Sequence, residues 1–572
     1  KIDPIGDLMK AWKETAGARK IGLKIGRSWK ANRMRPAIEA EYGSKVADAV
    51  SNAIRRGQDP SPILERAQKD KEREAEREAL LAAPPALHGS GAWATEADLA
   101  PFLRDRRAFD NPSSIILGAF GGDDGTTPPE FLHWDDQGHL LTVAPTRSGK
   151  AVTTIIPNLL RYRGSAIVID PKGELYDATS KWRGEHVGPV YRLAPFDDGS
   201  TPATASYPRH GFNPLTRIRI QSDARALAEL MFPRDPRSPE FFSEDAVAFV
   251  TAVILFVLDR APPEQRNLAV VRKLVSQPVS AFKNLAREMA SFPLATVAEA
   301  AENLLGKSAT GLSNLRDTLH TKLALWSDAA IQDNGRRHDF DFESLKEQPA
   351  TVYLQIPFDL MAPYGPWLRV ILKSALDAMT RNQAMPAVPV LFVLDEFLAL
   401  GPFPEFKNAI RTHAGSGVRL WFFLQDMGSL EEMYPNNAWR PFLNCSVKQF
   451  FGVDDPFTGE LVGKYLGNAT VAFRALSSGG NLSAQAGGGS WNQDGGSTSV
   501  SFQDGETIQF VGRPLLTPDE VMALLSPWRG DGWRWGIVQL RGPRPAKVVL
   551  TSWNTSEICR QRFGAYRHGD TR

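Results

Sequence analysis

The sequence predicts an α/β protein whose sheet is interrupted by a long all-helical block. Apolar segments at 139–144 and 164–170 flank a short turn and a helix-like segment. This order is typical of a parallel sheet that is covered by helices. Strand-like segments are then absent until 350–357, and they recur at 389–396 and 418–425. The helical block therefore lies within the α/β part of the chain.

Length and composition describe an ordinary globular protein with more than one domain. The chain has 572 residues, of which 42% are hydrophobic and 23% are charged, and this length exceeds what one hydrophobic core normally supports. The net charge is only +2, so contacts with nucleic acid have to come from local basic surfaces. Because only Cys445 and Cys559 are present, the sequence favours a reducing compartment over a disulfide-stabilised secreted protein.

Residues 1–87 are predicted to form a basic, helical linker. Residues 1–35 contain ten Lys or Arg and three Asp or Glu. Since cytoplasmic flanks of membrane spans are rich in Lys and Arg, we expect a membrane anchor before residue 1. The alternative is a solvated basic helix. Pro84 and Pro85 end the last helix of the linker, because proline cannot continue the hydrogen-bond ladder.

The remaining sequence divides into three segments. Residues 88–215 are predicted to be the first part of a nucleotide-binding domain, 216–345 an all-α domain, and 346–572 the second part of the nucleotide-binding domain. The apolar run 246–258 is shorter than the roughly 20 residues of a membrane span and predicts a buried helix. The Gly- and Ser-rich residues 477–499 predict a flexible loop.

A candidate phosphate-binding loop, APTRSGKA, follows the strand at 139–144. It resembles the pattern GxxxxGK[ST], in which backbone N–H groups at a helix N-terminus surround a phosphate and the lysine reaches the β- and γ-phosphates. Ala144 replaces the first glycine of the pattern, and Ala151 replaces the hydroxyl that binds Mg²⁺, so Thr153, Thr154 or a water are the alternatives. The predicted nucleotide-binding residues are Pro145, Thr146, Arg147, Ser148, Gly149, Lys150 and Ala151.

Two adjacent carboxylates, Asp395 and Glu396, end a strongly apolar strand. A strand of this kind lies centrally in a parallel sheet, and ligands of α/β sheets bind at the carboxyl ends of such strands. We predict that Asp395 holds Mg²⁺ and that Glu396 is the catalytic residue that orients or deprotonates the attacking water. The alternative is an exposed pair that opens a turn.

The strand at 418–425 ends at Gln425. A glutamine at the end of a neighbouring strand can lie beside the γ-phosphate and distinguish ATP from ADP. We predict this catalytic sensor role for Gln425; the alternative is a glutamine that only caps the strand.

Six motifs occur in an order and at a spacing that resemble a known family. They are APTRSGKAVTTIIPNLL, VIDPKGELYDATS, GFNPL, VLDEF, GVRLWFFLQD and GRPLLTPDEVM. Together they resemble the TraG/TrwB-type coupling proteins of bacterial type IV secretion and conjugation, over residues 88–551.

The resemblance implies a RecA-like P-loop ATPase, related to the FtsK and HerA translocases, that uses ATP and Mg²⁺. It also implies a bacterial inner-membrane protein with this portion in the cytoplasm, and a homo-hexamer in the full-length form. The implied partners are relaxase–DNA complexes or secreted effector proteins, the components of the type IV secretion channel, and single- or double-stranded DNA bound without sequence preference. The all-α block corresponds to the family's inserted domain.

By the same resemblance, Lys150 is the phosphate-loop lysine, Asp395 and Glu396 are the acidic pair, and Gln425 is the sensor. The motif from Asp170 to Glu174 follows the second core strand, and its carboxylates could support the magnesium or the subunit interface.

Some relatives carry an arginine finger, which reaches the neighbouring subunit, at the position of Ala414. Arg411 or Arg419 would have to replace it here, and we predict Arg411 as the catalytic residue.

The predicted function is therefore a type IV secretion coupling ATPase that recruits substrates and drives them to the channel by ATP hydrolysis. One alternative is a docking receptor with a structural or slowly hydrolysed nucleotide. The other is an FtsK/HerA-like DNA translocase without a secretion partner.

Overall fold

The computed structural model describes residues 23–105, 111–121, 130–200, 204–232, 240–476, 498–501, 506–526 and 534–564. The chain divides into two compact units. One contains residues 1–91 and 467–515, and the other contains residues 92–466 and 516–572. The basic start of the chain (1–22) and most of the Gly- and Ser-rich segment (477–497) lie outside the described residues, so the expectations for them stay predictions.

The strands of the described residues are, in chain order, β1 Leu103–Asp105, β2 Ile115–Phe120, β3 Glu130–Trp134, β4 Leu140–Val143, β5 Ala166–Ile169, β6 Val190–Leu193, β7 Thr351–Leu354, β8 Val390–Leu394, β9 Val418–Leu424, β10 Val447–Phe451, β11 Asn468–Leu476, β12 Thr498–Ser501, β13 Glu506–Pro514, β14 Trp535–Leu540 and β15 Ala546–Val549.

The larger unit is built on a single mixed sheet with the order β1-β3-β2-β15-β14-β10-β4-β9-β8-β5-β7-β6. The strands from β10 to β6 are parallel to one another, and β14, β15, β2 and β3 pair antiparallel at the other side. Every residue of β4, β8 and β9 is buried, as expected for central strands whose two faces are covered. This confirms the strands that were predicted from continuous apolar runs.

Helices cover the sheet and also form the part of the chain between β6 and β7. The longer helices of this unit are Glu174–His186, Gln221–Met231, Glu240–Arg260, Leu268–Val275, Val279–Ala290, Ala295–Leu305, Ala309–Lys322, Ala329–Arg336, Gly365–Arg381, Pro404–Thr412, Met427–Met433, Pro456–Leu466 and Pro518–Leu525.

The described residues between Gln221 and Arg336 contain helices and no strand, in agreement with the all-helical block. Helix Glu240–Arg260 buries most of its apolar residues, including Phe249 and Ile254, which confirms the buried helix predicted at 246–258. No helix of the described residues combines the length and apolarity that a membrane crossing requires.

The smaller unit joins helices Leu23–Tyr42, Ser44–Arg56 and Ser61–Ala82 with the antiparallel sheet β11-β13-β12. The residues of this unit differ from the predicted domain boundaries, which assign residues 467–515 to the second part of the nucleotide-binding domain. The physical reason lies in long-range contacts that no local pattern encodes. Arg474 of β11 pairs with Glu74 at 2.6 Å, and the N–H of His88 donates to the hydroxyl of Thr470 at 3.0 Å.

Candidate nucleotide site

Three adjacent parallel strands bring the predicted site residues to one edge of the sheet. The order is β4, β9, β8, and Val143 is level with Leu424 while Leu394 is level with Phe422. The phosphate loop follows β4, Gln425 follows β9, and the acidic pair follows β8. Because parallel strands end at the same edge, segments far apart in the sequence converge there.

Lys150 forms ion pairs with both carboxylates of the acidic pair. Its Nζ atom lies 2.7 Å from Oδ1 of Asp395 and 3.0 Å from Oε1 of Glu396. The three side chains are 12%, 17% and 22% exposed, so the cluster is mostly buried but still reaches solvent. The predicted convergence of Lys150 with Asp395 and Glu396 is confirmed.

Burial and charge act on this cluster in opposite directions. Burial alone would lower the pKa of Lys150, but the adjacent charges of Asp395 and Glu396 outweigh it and the pKa is raised. Burial raises the pKa of Asp395, and the negative charge of Glu396 adds to this although Lys150 lowers it. Two carboxylates thus share one ammonium group, and additional positive charge near them is favoured.

Gln425 is linked to the same cluster through Glu396. Its Nε2 donates to Oε2 of Glu396 at 3.0 Å, while Oε1 of the same carboxylate accepts from Lys150. Glu396 adopts a left-handed backbone conformation with φ 53°, which costs free energy in a residue with a side chain. This conformation occurs directly after β8, where Asp395 and Glu396 both contact Lys150.

The phosphate loop has two residues with positive φ, Arg147 at 61° and Gly149 at 90°. Ser148 is buried, and its hydroxyl donates to the carbonyl of Pro145 at 2.7 Å, which closes the turn. Gly452, just after β10, packs against this turn: a Cβ atom there would lie 2.7 Å from Cβ of Ser148. The loop conformation is therefore stabilised by a hydrogen bond within the loop and by packing against the residue that follows β10.

The segment after the loop begins as a π-helical turn, Ala151–Ile155, and continues as a short α-helix, Ile156–Leu159. The sequence predicts a helix-like segment here, which is confirmed, although its first turn is π-helical. Pro157 has no N–H, and in a regular helix its ring collides with the preceding turn; a π-turn removes this conflict.

Two buried side chains fix this short helix in place. Asn158 bonds with the backbone of Ile116 in both directions and donates to the carbonyl of Thr154. The guanidinium of Arg183 donates to the carbonyls of Leu159 and Tyr162 at 3.0 and 2.7 Å. Unpaired carbonyls at a helix C-terminus are costly when buried, so Arg183 stabilises the end of the segment that carries Lys150.

The possible hydroxyl ligands of a metal ion lie inside this helix. Thr153 and Thr154 are buried, the Thr153 hydroxyl donates to the carbonyl of Gly149 at 2.9 Å, and the two hydroxyl oxygens are 3.4 Å apart. Ala151 offers no hydroxyl.

Asp170, at the end of β5, stabilises a helix start rather than a metal ion. Its carboxylate accepts from the N–H groups of Leu175 and Tyr176 and from Nε2 of Gln355. Burial raises the pKa of Asp170 to about 6, although these hydrogen bonds act to lower it. The prediction that this carboxylate could support the magnesium is not supported by these contacts, because the protein itself satisfies both of its oxygens.

The two candidate arginine fingers occupy different environments. Arg411 is exposed in the last turn of helix Pro404–Thr412. Arg419 in β9 is 1% exposed and donates to three backbone carbonyls, those of Ser113, Asp135 and Asp136. Arg419 cannot reach a neighbouring subunit without losing these bonds, so the alternative that it is the finger is wrong.

Sequence reasoning missed Arg534, which lies against the phosphate loop. Its Nη1 is 3.5 Å from the carbonyl of Ser148, and its Cζ is 3.5 Å from the position that a Cβ atom of Gly149 would take. Arg534 directly precedes β14, which is antiparallel to β10. Only the pairing of β14 with β10 brings it to this edge, and no local motif indicates that pairing.

A family model described as "Type IV secretory system Conjugative DNA transfer" matches residues 109–566. The chain is 27% identical over 445 residues to Protein VirD4 of Agrobacterium fabrum (strain C58), which covers 76% of this chain and 61% of the relative. It is 26% identical over 478 residues to Conjugal transfer protein TraG of Escherichia coli, covering 77% of this chain and 71% of the relative. The chain thus spans only part of these longer relatives.

Among solved structures, the chain is similar to the bacterial conjugative coupling protein TrwBdeltaN70 in complex with sulphate, with a TM-score of 0.52 and 17% identity over 72% of this chain and 85% of that one. It is similar to the plasmid coupling protein TrwB in complex with ADP and Mg²⁺, with a TM-score of 0.50 and 16% identity over 75% and 87% of the two chains. At these identities the likeness shows the fold, which confirms the predicted RecA-like P-loop α/β class.

Proposed function

The chain belongs to the type IV secretory system conjugative DNA-transfer family, and from this premise we propose that it is a coupling ATPase that binds and hydrolyses ATP at the Lys150 site. The observation that carries the proposal is the contact of one lysine of a phosphate loop with two carboxylates at the end of a central strand. A phosphate loop, a strand-end aspartate and a water-orienting glutamate are the parts that phosphoryl transfer needs.

Each residue of the cluster has a distinct role in this proposal. Lys150 carries three N–H donors and holds the β- and γ-phosphates together with the loop from Pro145 to Ala151. Glu396 orients the attacking water and accepts its proton, and a partly buried carboxylate is suited to this task. Gln425 donates to Glu396, so a change in the position of Glu396 is transmitted to the end of β9.

The acidic pair fits a Mg²⁺ ion. Asp395 and Glu396 share only one ammonium group, and burial raises the pKa of Asp395; a divalent cation with oxygen ligands relieves this unfavourable charge density. When bound, Mg²⁺ would neutralise charge on the phosphates, with Asp395 as the protein ligand. TrwB, which is similar in fold, has been solved with ADP and Mg²⁺, in support of ATP and Mg²⁺ as ligands here.

The wider role is proposed from the family. The relative TraG is named as a conjugal transfer protein, and the matching family is described as conjugative DNA transfer by a type IV secretory system. The substrates would therefore be relaxase–DNA complexes or secreted effector proteins, delivered to the type IV secretion channel. DNA would be gripped without sequence preference through its backbone charge. We further propose a homo-hexamer that acts at the bacterial inner membrane, with the P-loop fold on the cytoplasmic side.

A docking receptor with a structural nucleotide is the second candidate. One observation favours it: Ala151 occupies the position of the usual Mg²⁺-binding hydroxyl. A weaker metal site permits nucleotide binding with slow turnover.

Steady-state ATP hydrolysis, measured with and without single-stranded DNA, tests the proposal. The coupling ATPase predicts Mg²⁺-dependent turnover that DNA stimulates. Tight ATP binding without turnover under both conditions would instead support the docking receptor, and the absence of any nucleotide binding would contradict both.

A further inference from the structure

A cation from a distant part of the same chain lies against the phosphate loop. In β14 the residue Gly536 is level with Phe451 of β10, and in β10 Phe450 is level with Val143 of β4. Because β14 runs antiparallel to both, its first residues lie at the edge where β4 ends and the phosphate loop begins. Arg534 immediately precedes β14 at that edge.

The backbone of Arg534 is held by the sheet. Its carbonyl accepts from the N–H of Leu550 at 2.8 Å, just beyond the end of β15. The side chain therefore starts from a fixed point, and its guanidinium reaches the turn Ser148–Gly149. Such preorganisation lowers the entropic cost of holding a ligand.

Gly149 is the residue that permits this approach. Any Cβ atom at this position would overlap with Nη1 of Arg534, and φ of Gly149 is 90°. The backbone conformation favours glycine here, and a Cβ atom would in addition displace the guanidinium from its place on the loop. The guanidinium lies on the loop that surrounds a phosphate in this fold.

The hydrogen bonding of Arg534 within the described residues is incomplete. Its only side-chain bond there is to the carbonyl of Ser148 at 3.5 Å, which is long for a hydrogen bond. A guanidinium has five N–H donors in a planar fork that matches two phosphate oxygens. No carboxylate of the described residues forms an ion pair with it.

The charges of the site also favour a phosphate contact for Arg534. Asp395 and Glu396 outnumber Lys150 in the described cluster, whereas a nucleoside triphosphate brings further negative charge. Positive charge on the loop side is needed to hold it. We propose that Arg534 is a phosphate-contacting residue of the nucleotide site, supplied by the same chain as Lys150 and therefore distinct from an arginine finger of a neighbouring subunit. This inference rests on the proposed nucleotide site.

Nucleotide titration of Arg534→Ala tests the inference, with Arg541→Ala as a matched control. Arg541 is exposed and follows the opposite end of β14. The substitution Arg541→Ala therefore removes the same charge from the same hairpin. We expect Arg534→Ala to weaken MgATP and MgADP binding about tenfold to a hundredfold, the range of a lost charge-assisted hydrogen bond, and Arg541→Ala to leave both affinities unchanged. Equal affinities in Arg534→Ala and wild type, or equal losses in the two variants, would overturn the inference.

A purely structural role is separated by thermal melts. Contact with phosphate predicts an unchanged Tm without nucleotide and a smaller nucleotide-induced increase of Tm. If Arg534→Ala lowers the nucleotide-free Tm, Arg534→Gln decides, since it keeps the packing of the stem and a donor for Ser148. Normal nucleotide affinity in Arg534→Gln would then contradict the inference. Wild-type protein that binds no nucleotide would instead mean that the proposed function itself has failed, and Lys150→Ala serves as the reference for a disabled site.

Discussion

The Nζ atom of Lys150 lies 2.7 Å from Oδ1 of Asp395, although the all-helical block separates the two residues in the sequence. Lys150 follows β4 and Asp395 follows β8, with β9 between these strands. The contact depends on the register of three parallel strands.

Glu396→Gln is expected to separate binding from turnover. The variant keeps the size of the side chain but removes the carboxylate that would accept a proton from water. We expect kcat to fall by about 10²- to 10⁴-fold, with MgATP affinity within about threefold of wild type because Asp395 and Lys150 remain. Single-turnover hydrolysis and nucleotide titration measure the two effects. Glu432→Gln, on an exposed helix surface, is the control, and normal turnover in Glu396→Gln would exclude Glu396 as the base.

Gln425→Ala removes the amide that donates to Oε2 of Glu396 at 3.0 Å. Since hydrogen bonds to charged groups contribute about 1.5–3 kcal/mol, we expect kcat to fall by roughly tenfold or more through the loss of Glu396 positioning. Gln425→Glu places a second carboxylate beside Glu396 and should reduce kcat further. Steady-state kinetics of both variants check this. A sensor role is wrong if both retain wild-type kcat.

Arg419→Ala should lower stability, whereas Arg411→Ala should leave stability unchanged and test the role of Arg411 in activity. Arg419 is buried and satisfies three backbone carbonyls, so its removal should lower the free energy of unfolding by about 3 kcal/mol or more. Arg411 is exposed, and its removal should leave stability unchanged. If Arg411 is the finger, kcat of the assembled protein falls by about 10³-fold. Urea unfolding and hydrolysis assays on both variants provide the test, and full activity of assembled Arg411→Ala would remove it as the finger.

His139 should make stability depend on pH below neutrality. Burial lowers its pKa to about 4, and its Nδ1 accepts from the N–H of Leu420 at 3.0 Å, so the folded protein keeps it neutral. The stabilising contribution is complete above the unfolded pKa of about 6.5 and is lost as pH falls toward 4, up to about 3 kcal/mol. Urea unfolding between pH 7 and 4 should show a smaller loss in His139→Gln than in wild type. The exposed His320→Gln is the control; identical pH profiles of wild type and His139→Gln would disprove the assignment.

The sequence predicts most of the sheet and the convergence of its central residues. Continuous apolar runs indicate β4, β8 and β9, and the motifs at their ends indicate Lys150, Asp395 and Gln425. These features are local, and the rule that parallel strands end at one edge brings them together.

The π-turn after the phosphate loop has a local cause, because Pro157 interrupts the helix there. Features that depend on long-range pairing are not predicted. The grouping of 467–515 with the N-terminal helices depends on contacts such as Arg474 with Glu74. Arg534 reaches the site through antiparallel pairing of β14, and the burial of Arg419 follows from its three carbonyl partners. None of these long-range features has a periodicity or a motif in the sequence.

ATP hydrolysis by Lys150→Ala, compared with wild type in the presence of Mg²⁺, tests the central claim most directly. Lys150→Met accompanies it, since the longer side chain keeps the packing of the lysine stem, and far-UV circular dichroism verifies that both variants are folded. We expect both substitutions to reduce hydrolysis at least a hundredfold, about the loss of one strong phosphate contact. Folded variants that hydrolyse ATP at the wild-type rate would contradict the proposal that Lys150, Asp395 and Glu396 act on one Mg²⁺–triphosphate.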